Sequence, residues 1–401
     1  KLEEAIEAYN KAISIKPEYA EAYNNIGIVR QAQGKSRKAI EAYKKAISIK
    51  PDDSEAWNNL YFALHALKTK MLAGENINLL YPKGIKSDFA KIELGILDYK
   101  LNRGQKSESI SLDKAMSILS ISNNTIIQAL AVDKNIPEKT QIAPDKIVAL
   151  IHFGRSGTGL MHSLIDGHPE VSTLPSIYFS EYFDNSTWMK IISAGWNGMV
   201  DRFIDIYEVL FDPTSLVPIA TKSKKLQYNI GVKEGLANVG NERNEILCLD
   251  KKIFRSELKS LLKCYEEIDA FVFFKLIHVA YDRAINDYNS KSLIFYHIHN
   301  PDACAKLNFS RLNESTNWLV MVREPIQSCE SWIRRSFHKN DYSGVVNRIP
   351  TMLFEIDNSI YRRQNTIGVR LEDLKIRPRK TIPALCKWMG IEESHSLYEM
   401  T

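Results

Sequence analysis

The chain has 401 residues, enough for two or three domains with cores of their own. Its composition, 44% hydrophobic and 25% charged, is that of a globular protein, and its net charge of +5 favours an anionic cofactor but is too mild for a nucleic-acid partner. No apolar run reaches membrane-spanning length, and the five cysteines (Cys248, Cys264, Cys304, Cys329, Cys386) form no Cys-x-x-Cys pair, which argues against a zinc site or disulfide framework and points to a reducing, cytoplasmic setting.

The front of the chain repeats itself. Residues 1–17 read KLEEAIEAYNKAISIKP and residues 35–51 read KSRKAIEAYKKAISIKP, an offset of 34. The segments that follow also correspond: Glu21-Ala22-Tyr23-Asn24-Asn25-Ile26 with Glu55-Ala56-Trp57-Asn58-Asn59-Leu60. Small residues sit where two helices must approach (Gly27, Ala39, Ala46), Tyr43 fills the gap between them, and Pro51 ends the unit. A helix–turn–helix period of this length resembles the tetratricopeptide (TPR) repeat. The chain opens on the second helix of one unit and without Met, so further repeats are expected upstream. Such a solenoid offers a concave surface for a protein or peptide.

Residues 68–145 read as a helical bridge. Amphipathic stretches are expected over 89–101 and 107–121, and a short helix over 124–132. Pro137 and Pro144 mark the linker beyond it.

Ile147-Val148-Ala149-Leu150-Ile151-His152-Phe153 is expected to form a buried strand. It runs into Gly154-Arg155-Ser156-Gly157-Thr158-Gly159 and then into an apolar helical pattern from Leu160. A strand, a Gly-rich turn and a helix N-terminus together make an anion cradle, with backbone N–H groups and the helix dipole directed at the ligand. Gly154 and Gly159 occupy the two glycine positions of a Walker A loop, but Leu160 and Met161 stand where that loop needs Lys and Ser or Thr. The ATP-gripping cation and the Mg²⁺-holding hydroxyl are both missing, and the cation is Arg155 inside the loop. A phosphate-like ligand other than ATP, held without a metal, is expected.

The loop resembles the 5′-phosphosulfate loop of sulfotransferases that use 3′-phosphoadenosine 5′-phosphosulfate (PAPS). Tyrosylprotein sulfotransferases carry Arg-Ser-Gly-Thr-Thr-Leu followed by an Asp-x-His-Pro turn; here the residues are Arg155-Ser156-Gly157-Thr158-Gly159-Leu160 and then Asp166-Gly167-His168-Pro169. Gly159 departs from the family, removing one hydroxyl. The resemblance implies a cofactor site made by Gly154, Arg155, Ser156, Gly157, Thr158 and Gly159. It also gives Arg155 a part in catalysis, stabilising the oxygen that leaves with the 5′-phosphate.

Two candidates follow for the base that takes the acceptor's proton. The tyrosine-specific enzymes place a catalytic Glu shortly after the His-Pro turn, but the aligned positions here are Pro175 and Ser176; Glu181 is the nearest carboxylate downstream. The other candidate is His299, at the end of the expected strand Leu293-Ile294-Phe295-Tyr296-His297-Ile298-His299, 24 residues before Arg323. Cytosolic sulfotransferases carry their base in a similar His-x-Pro setting, matched here by His299-Asn300-Pro301. An ordinary His is neutral at pH 7 and can accept a proton. His297, on the same face, is a weaker candidate. His152, His162 and His168 read as structural, and Lys275 and His278 lie in an apolar run that fits helix or strand.

Asn317-Trp318-Leu319-Val320-Met321-Val322 is expected to be another buried strand, ending at Arg323, with Pro325 opening a helix that carries Ser331. An Arg and a Ser eight residues apart match the pair with which sulfotransferases hold the 3′-phosphate. Arg offers a planar fork of donors and the hydroxyl adds a directed hydrogen bond. A third segment, Val369-Arg370-Leu371-Glu372-Asp373-Leu374 followed by Pro378 and an apolar helix to Gly390, is similar to the closing Glu-Asp-Leu turn of the family. The Arg377-Pro378-Arg379-Lys380 cluster reads mainly as a solvated face.

The expected architecture is α/β: all-α TPR repeats over 1–67, a helical bridge and linker over 68–145, and a P-loop-like, doubly wound parallel-sheet sulfotransferase domain over 146–401. The expected activity is transfer of a sulfuryl group from PAPS to a hydroxyl or amine, leaving 3′-phosphoadenosine 5′-phosphate (PAP), with a protein or peptide acceptor recruited by the repeats. The alternative is a non-catalytic TPR adaptor with a degenerate nucleotide-binding domain. A nucleotide kinase ranks third.

Overall fold

The structure, a computed structural model, describes residues 2–68, 82–83, 90–91, 94–95, 97–98, 126–129, 142–152, 156–175, 179–183, 185–215, 236–238, 242–298, 309, 312–313, 315–337 and 365–398. The chain divides into two compact units, with the change falling between Ser122 and Asn123.

The first unit begins with four helices: α1 (Leu2–Ile15), α2 (Ala20–Ala32), α3 (Ser36–Ile49) and α4 (Ser54–Lys68). The repeat explains their packing. A Cβ at Gly27 would overlap the Tyr43 ring, so only glycine lets α2 and α3 close to this distance. The Tyr43 hydroxyl reaches across to donate to Gln31 Oε1 (2.9 Å). Asp53 caps α4 by accepting from the N–H groups of Glu55 and Ala56. Successive repeats are stitched by amides: Asn24 Nδ2 donates to Glu55 Oε1 (3.1 Å), and Asn59 Nδ2 donates to Asn24 Oδ1 (3.0 Å). Much of 68–125, including both expected amphipathic stretches, lies outside the described residues.

The second unit is built on a parallel sheet. In chain order its strands and those of a small ribbon are β1 (Ile127–Gln128), β2 (Lys146–His152), β3 (Val171–Thr173), β4 (Glu267–Ile268), β5 (Leu293–His297), β6 (Asn317–Val322) and β7 (Thr366–Arg370). The five-stranded sheet runs β3-β5-β2-β6-β7, and all its pairings are parallel. Strand β1 pairs antiparallel with β4 instead. The short helix expected over 124–132 is therefore corrected: its described part is extended, because Ile127 gains a partner in Ile268, about which the local sequence is silent.

The helices of this unit are α5 (Thr158–Ile165), α6 (Asn185–Ile192), α7 (Gly195–Ile206), α8 (Lys251–Leu262), α9 (Ala270–Ala284), α10 (Pro325–Phe337), α11 (Leu371–Ile376) and α12 (Pro378–Met389). Alternation along β2 feeds two cores. Val148 and Leu150 meet Met161, Leu164 and Ile165 of α5 and Ile382, Leu385 and Met389 of α12. Ile147, Ala149 and Ile151 face the opposite layer, where Phe203, Phe254, Phe273 and Phe274 come from α7, α8 and α9. Helices thus cover both faces, as a parallel sheet requires. Asp250 and Asp269 cap α8 and α9 with their side chains. The apolar run containing Lys275 and His278 is helical.

Candidate functional site

The strand order fixes where a ligand can sit. From β2 the chain moves to the β3 edge, while from β5 it crosses to β6 on the other side of β2 and moves outward to β7. The order reverses beside β2, and the crevice at the carboxyl ends of the strands there is the favoured ligand site of open α/β sheets. The register places His152 opposite Met321 and Val322 opposite Arg370, so the turns that follow β2, β6 and β7 lie along one edge. His297, at the end of β5, pairs with Leu150 at the same edge.

The turn after β2 ends in the described residues Ser156, Gly157, Thr158 and Gly159. Gly157 has φ +86° and serves as the N-cap of α5, a conformation that only glycine adopts cheaply. Among the described residues no side chain caps this helix, so its first N–H groups are available to an anion. Ser156 is buried at 1% exposure, and its Oγ finds no hydrogen-bond partner among the described residues. Thr158 is buried at the first turn; Gly159 is exposed, and a Cβ there would meet nothing within 4 Å among the described residues. An orphaned hydroxyl beside an uncapped helix terminus fits a phosphate. Gly154 and Arg155 lie outside the described residues.

The turn after β6 carries Arg323, half-buried, with Nη2 donating to Gln327 Oε1 at 3.5 Å. Glu324 caps α10, its Oε2 accepting from the Gln327 N–H (2.8 Å). Ser331 is half-buried on α10, and Ser328 stands one turn earlier on the same face. Ser328 is fully buried, with no hydrogen-bond partner for its Oγ among the described residues. Sequence reasoning passed over Ser328, although its spacing from Ser331 was available.

Neither base candidate has a described side chain. His299 lies outside the described residues, two positions beyond the end of β5 at His297. Glu181 belongs to the 3₁₀ turn Phe179–Phe183, and its side chain also lies outside them.

The remaining histidines are held in definite tautomers. His162 Nε2 lies 3.1 Å from Leu174 O, which can only accept, so that nitrogen carries the proton; the same atom is 3.1 Å from Thr173 Oγ1. Burial pushes its pKa down. Its ring lies 5.6 Å from that of His297, linking the loop's helix to the end of β5. His168 donates through Nε2 to Glu392 O (3.0 Å) and accepts the Glu170 N–H at Nδ1 (3.2 Å), which fixes the Asp-Gly-His-Pro turn. His278 donates through Nδ1 to Phe274 O, and burial lowers its pKa to about 4. Lys275 pairs with Asp145 at 2.8 Å.

Residues 1–34 match the family described as TPR repeat, and residues 20–53 match the tetratricopeptide repeat family. The N-terminal region therefore carries tetratricopeptide repeats, modules that suggest protein–protein interaction. No curated protein matches the chain. Among the described residues no helix is long and apolar enough to cross a membrane.

Proposed function

We propose that the second unit is a PAPS-dependent sulfotransferase and that the TPR region recruits its acceptor, a protein or peptide. The observation that carries this reading is the meeting of two independently recognised segments at one switch point. The Gly-rich loop follows β2, and the Arg323–Ser331 arm follows its neighbour β6. PAPS supplies an activated sulfuryl group when bound. The N–H groups at the start of α5 and the Ser156 hydroxyl receive the 5′-phosphosulfate end. Arg155 stabilises the oxygen that leaves with the 5′-phosphate. Arg323 and Ser331 take the 3′-phosphate, the group that separates PAPS from ATP. His299 holds the position of the base, with Glu181 as its rival.

The adaptor reading is favoured by one observation, the glycine at 159 in place of a hydroxyl residue. Retention of Arg155, Arg323 and Ser331 weighs against it, because a scaffold needs no cation at those positions.

Isothermal titration with PAP, beside ADP and Mg²⁺, tests the reading. Micromolar binding of PAP is expected, weakened by one to three powers of ten in Arg323→Ala, roughly the scale of a lost charge-assisted contact. A preference for ADP, or no binding of either nucleotide, sinks the proposal. Tight PAP binding without turnover on any hydroxyl or amine acceptor favours the adaptor.

A further inference from the structure

Resting on the PAPS reading, we propose that Leu371 and Glu372 form a brace that couples the two phosphate-binding segments, with Glu372 as the positioning residue of the 3′-phosphate arm. These consecutive residues open α11 immediately after β7, and they reach in two directions.

Leu371 reaches the loop. It is buried, and a Cβ added at Gly157 would lie 2.5 Å from Leu371 Cδ1, so the leucine closes directly on the glycine that starts α5. Glu372 reaches the arm. Its Oε1 accepts the N–H of Glu324 at 3.3 Å, across 48 residues of sequence. Its other oxygen is 3.9 Å from Arg370 Nε. Glu324 is itself engaged on the helix side, accepting from Gln327 N at its side chain and from Ser328 N at its carbonyl (3.0 Å). The peptide joining Arg323 to Glu324 is therefore held from both sides, which sets the direction in which Arg323 leaves β6. The pairing of Val322 with Arg370 brings the two turns side by side.

The charge makes the assignment specific. A carboxylate only 17% exposed beside a phosphate site opposes the ligand by like-charge repulsion. Spending its Oε1 on a backbone N–H gives it a positioning role, acting on the nucleotide through Arg323.

The test compares two nucleotides that differ only at the 3′ position, PAP and 5′-AMP, by calorimetry on the full chain. Glu372→Ala is expected to weaken PAP about tenfold, the scale of one hydrogen bond to a charged group, while 5′-AMP stays within about twofold. Glu372→Gln keeps an oxygen acceptor for the Glu324 N–H and should stay within about threefold of the unmutated chain for both nucleotides. Leu371→Ala, which loosens the loop glycine, should weaken both. If Glu372→Ala does not fold, Glu372→Asp carries the same comparison, because the shortened arm keeps the charge and loses the contact. Equal weakening of PAP and 5′-AMP at position 372 means a general structural role and overturns the coupling, as does unchanged PAP affinity. If the unmutated chain binds no PAP, the sulfotransferase reading fails first and the brace falls with it.

Discussion

A hydroxyl buried without a partner destabilises a protein by about 1–3 kcal/mol. Ser156 is such a residue, and the cost makes sense if a ligand supplies the missing bond. The substitution Ser156→Ala should therefore have opposite effects on stability and binding. The ligand-free melting temperature should hold or rise, because a buried unsatisfied group is removed, while PAP binding weakens. Scanning fluorimetry and calorimetry on the same variant read the two signs, and a lower melting temperature with unchanged affinity would count against a ligand role for Ser156. The Arg323–Ser331 spacing was legible in the sequence because strand end and helix are local. The contact of Glu372 with the Glu324 N–H was not, since nothing local ties residues so far apart.

Helix α9 illustrates what is legible in an element. Its run from Ala270 to Ala284 is apolar all round, so periodicity alone left helix and strand open. The Asp269 cap, accepting from the Phe271 and Val272 N–H groups, is the local signal that decides for helix. This helix also buries two titratable side chains one turn apart, His278 and Asp282. Burial raises the Asp282 carboxyl to about 7; Ser172, donating at 2.5 Å from β3, and Lys291 pull the other way, while Asp287 and Asp166 add to the rise. An acid raised in the folded state contributes stability that is complete below its unfolded pKa, near 3.8, and is lost as pH climbs through about 7. His278, depressed from 6.5 to about 4, does the reverse: its contribution is complete above pH 6.5 and is lost as pH falls through about 4. The two slopes oppose each other in the mildly acidic range. The variant Asp282→Asn keeps an acceptor for Ser172 and removes only the carboxylate slope. Denaturant unfolding should show it close to the unmutated chain at pH 4.5 and more stable at pH 8. An equal effect at both pH values would contradict the assignment.

For the whole molecule, the two halves differ in how openly their sequences declare them. The TPR region shows itself by self-similarity, because each helix pair packs on its neighbour and every repeat must restate the same small and aromatic positions. The sheet is held by pairings between distant segments, so its strands could be read one at a time while their order could not. That order brings the loop, the Arg323 arm and the brace to one edge, and it makes the response to nucleotide local. A ligand that binds only the folded second unit stabilises it by about 2.7 kcal/mol at a hundred times its dissociation constant. Hydrogen exchange with and without PAP should therefore slow at the amides of Lys146–His152, Thr158–Ile165 and Asn317–Val322, and should leave those of Leu2–Ile15 and Ser36–Ile49 unchanged. Protection gained only in the repeats would move the nucleotide site away from the switch point. Protection spread evenly over both units would mean that PAP acts on the chain as a whole, and the edge formed by β2, β6 and β7 would lose its claim to the site.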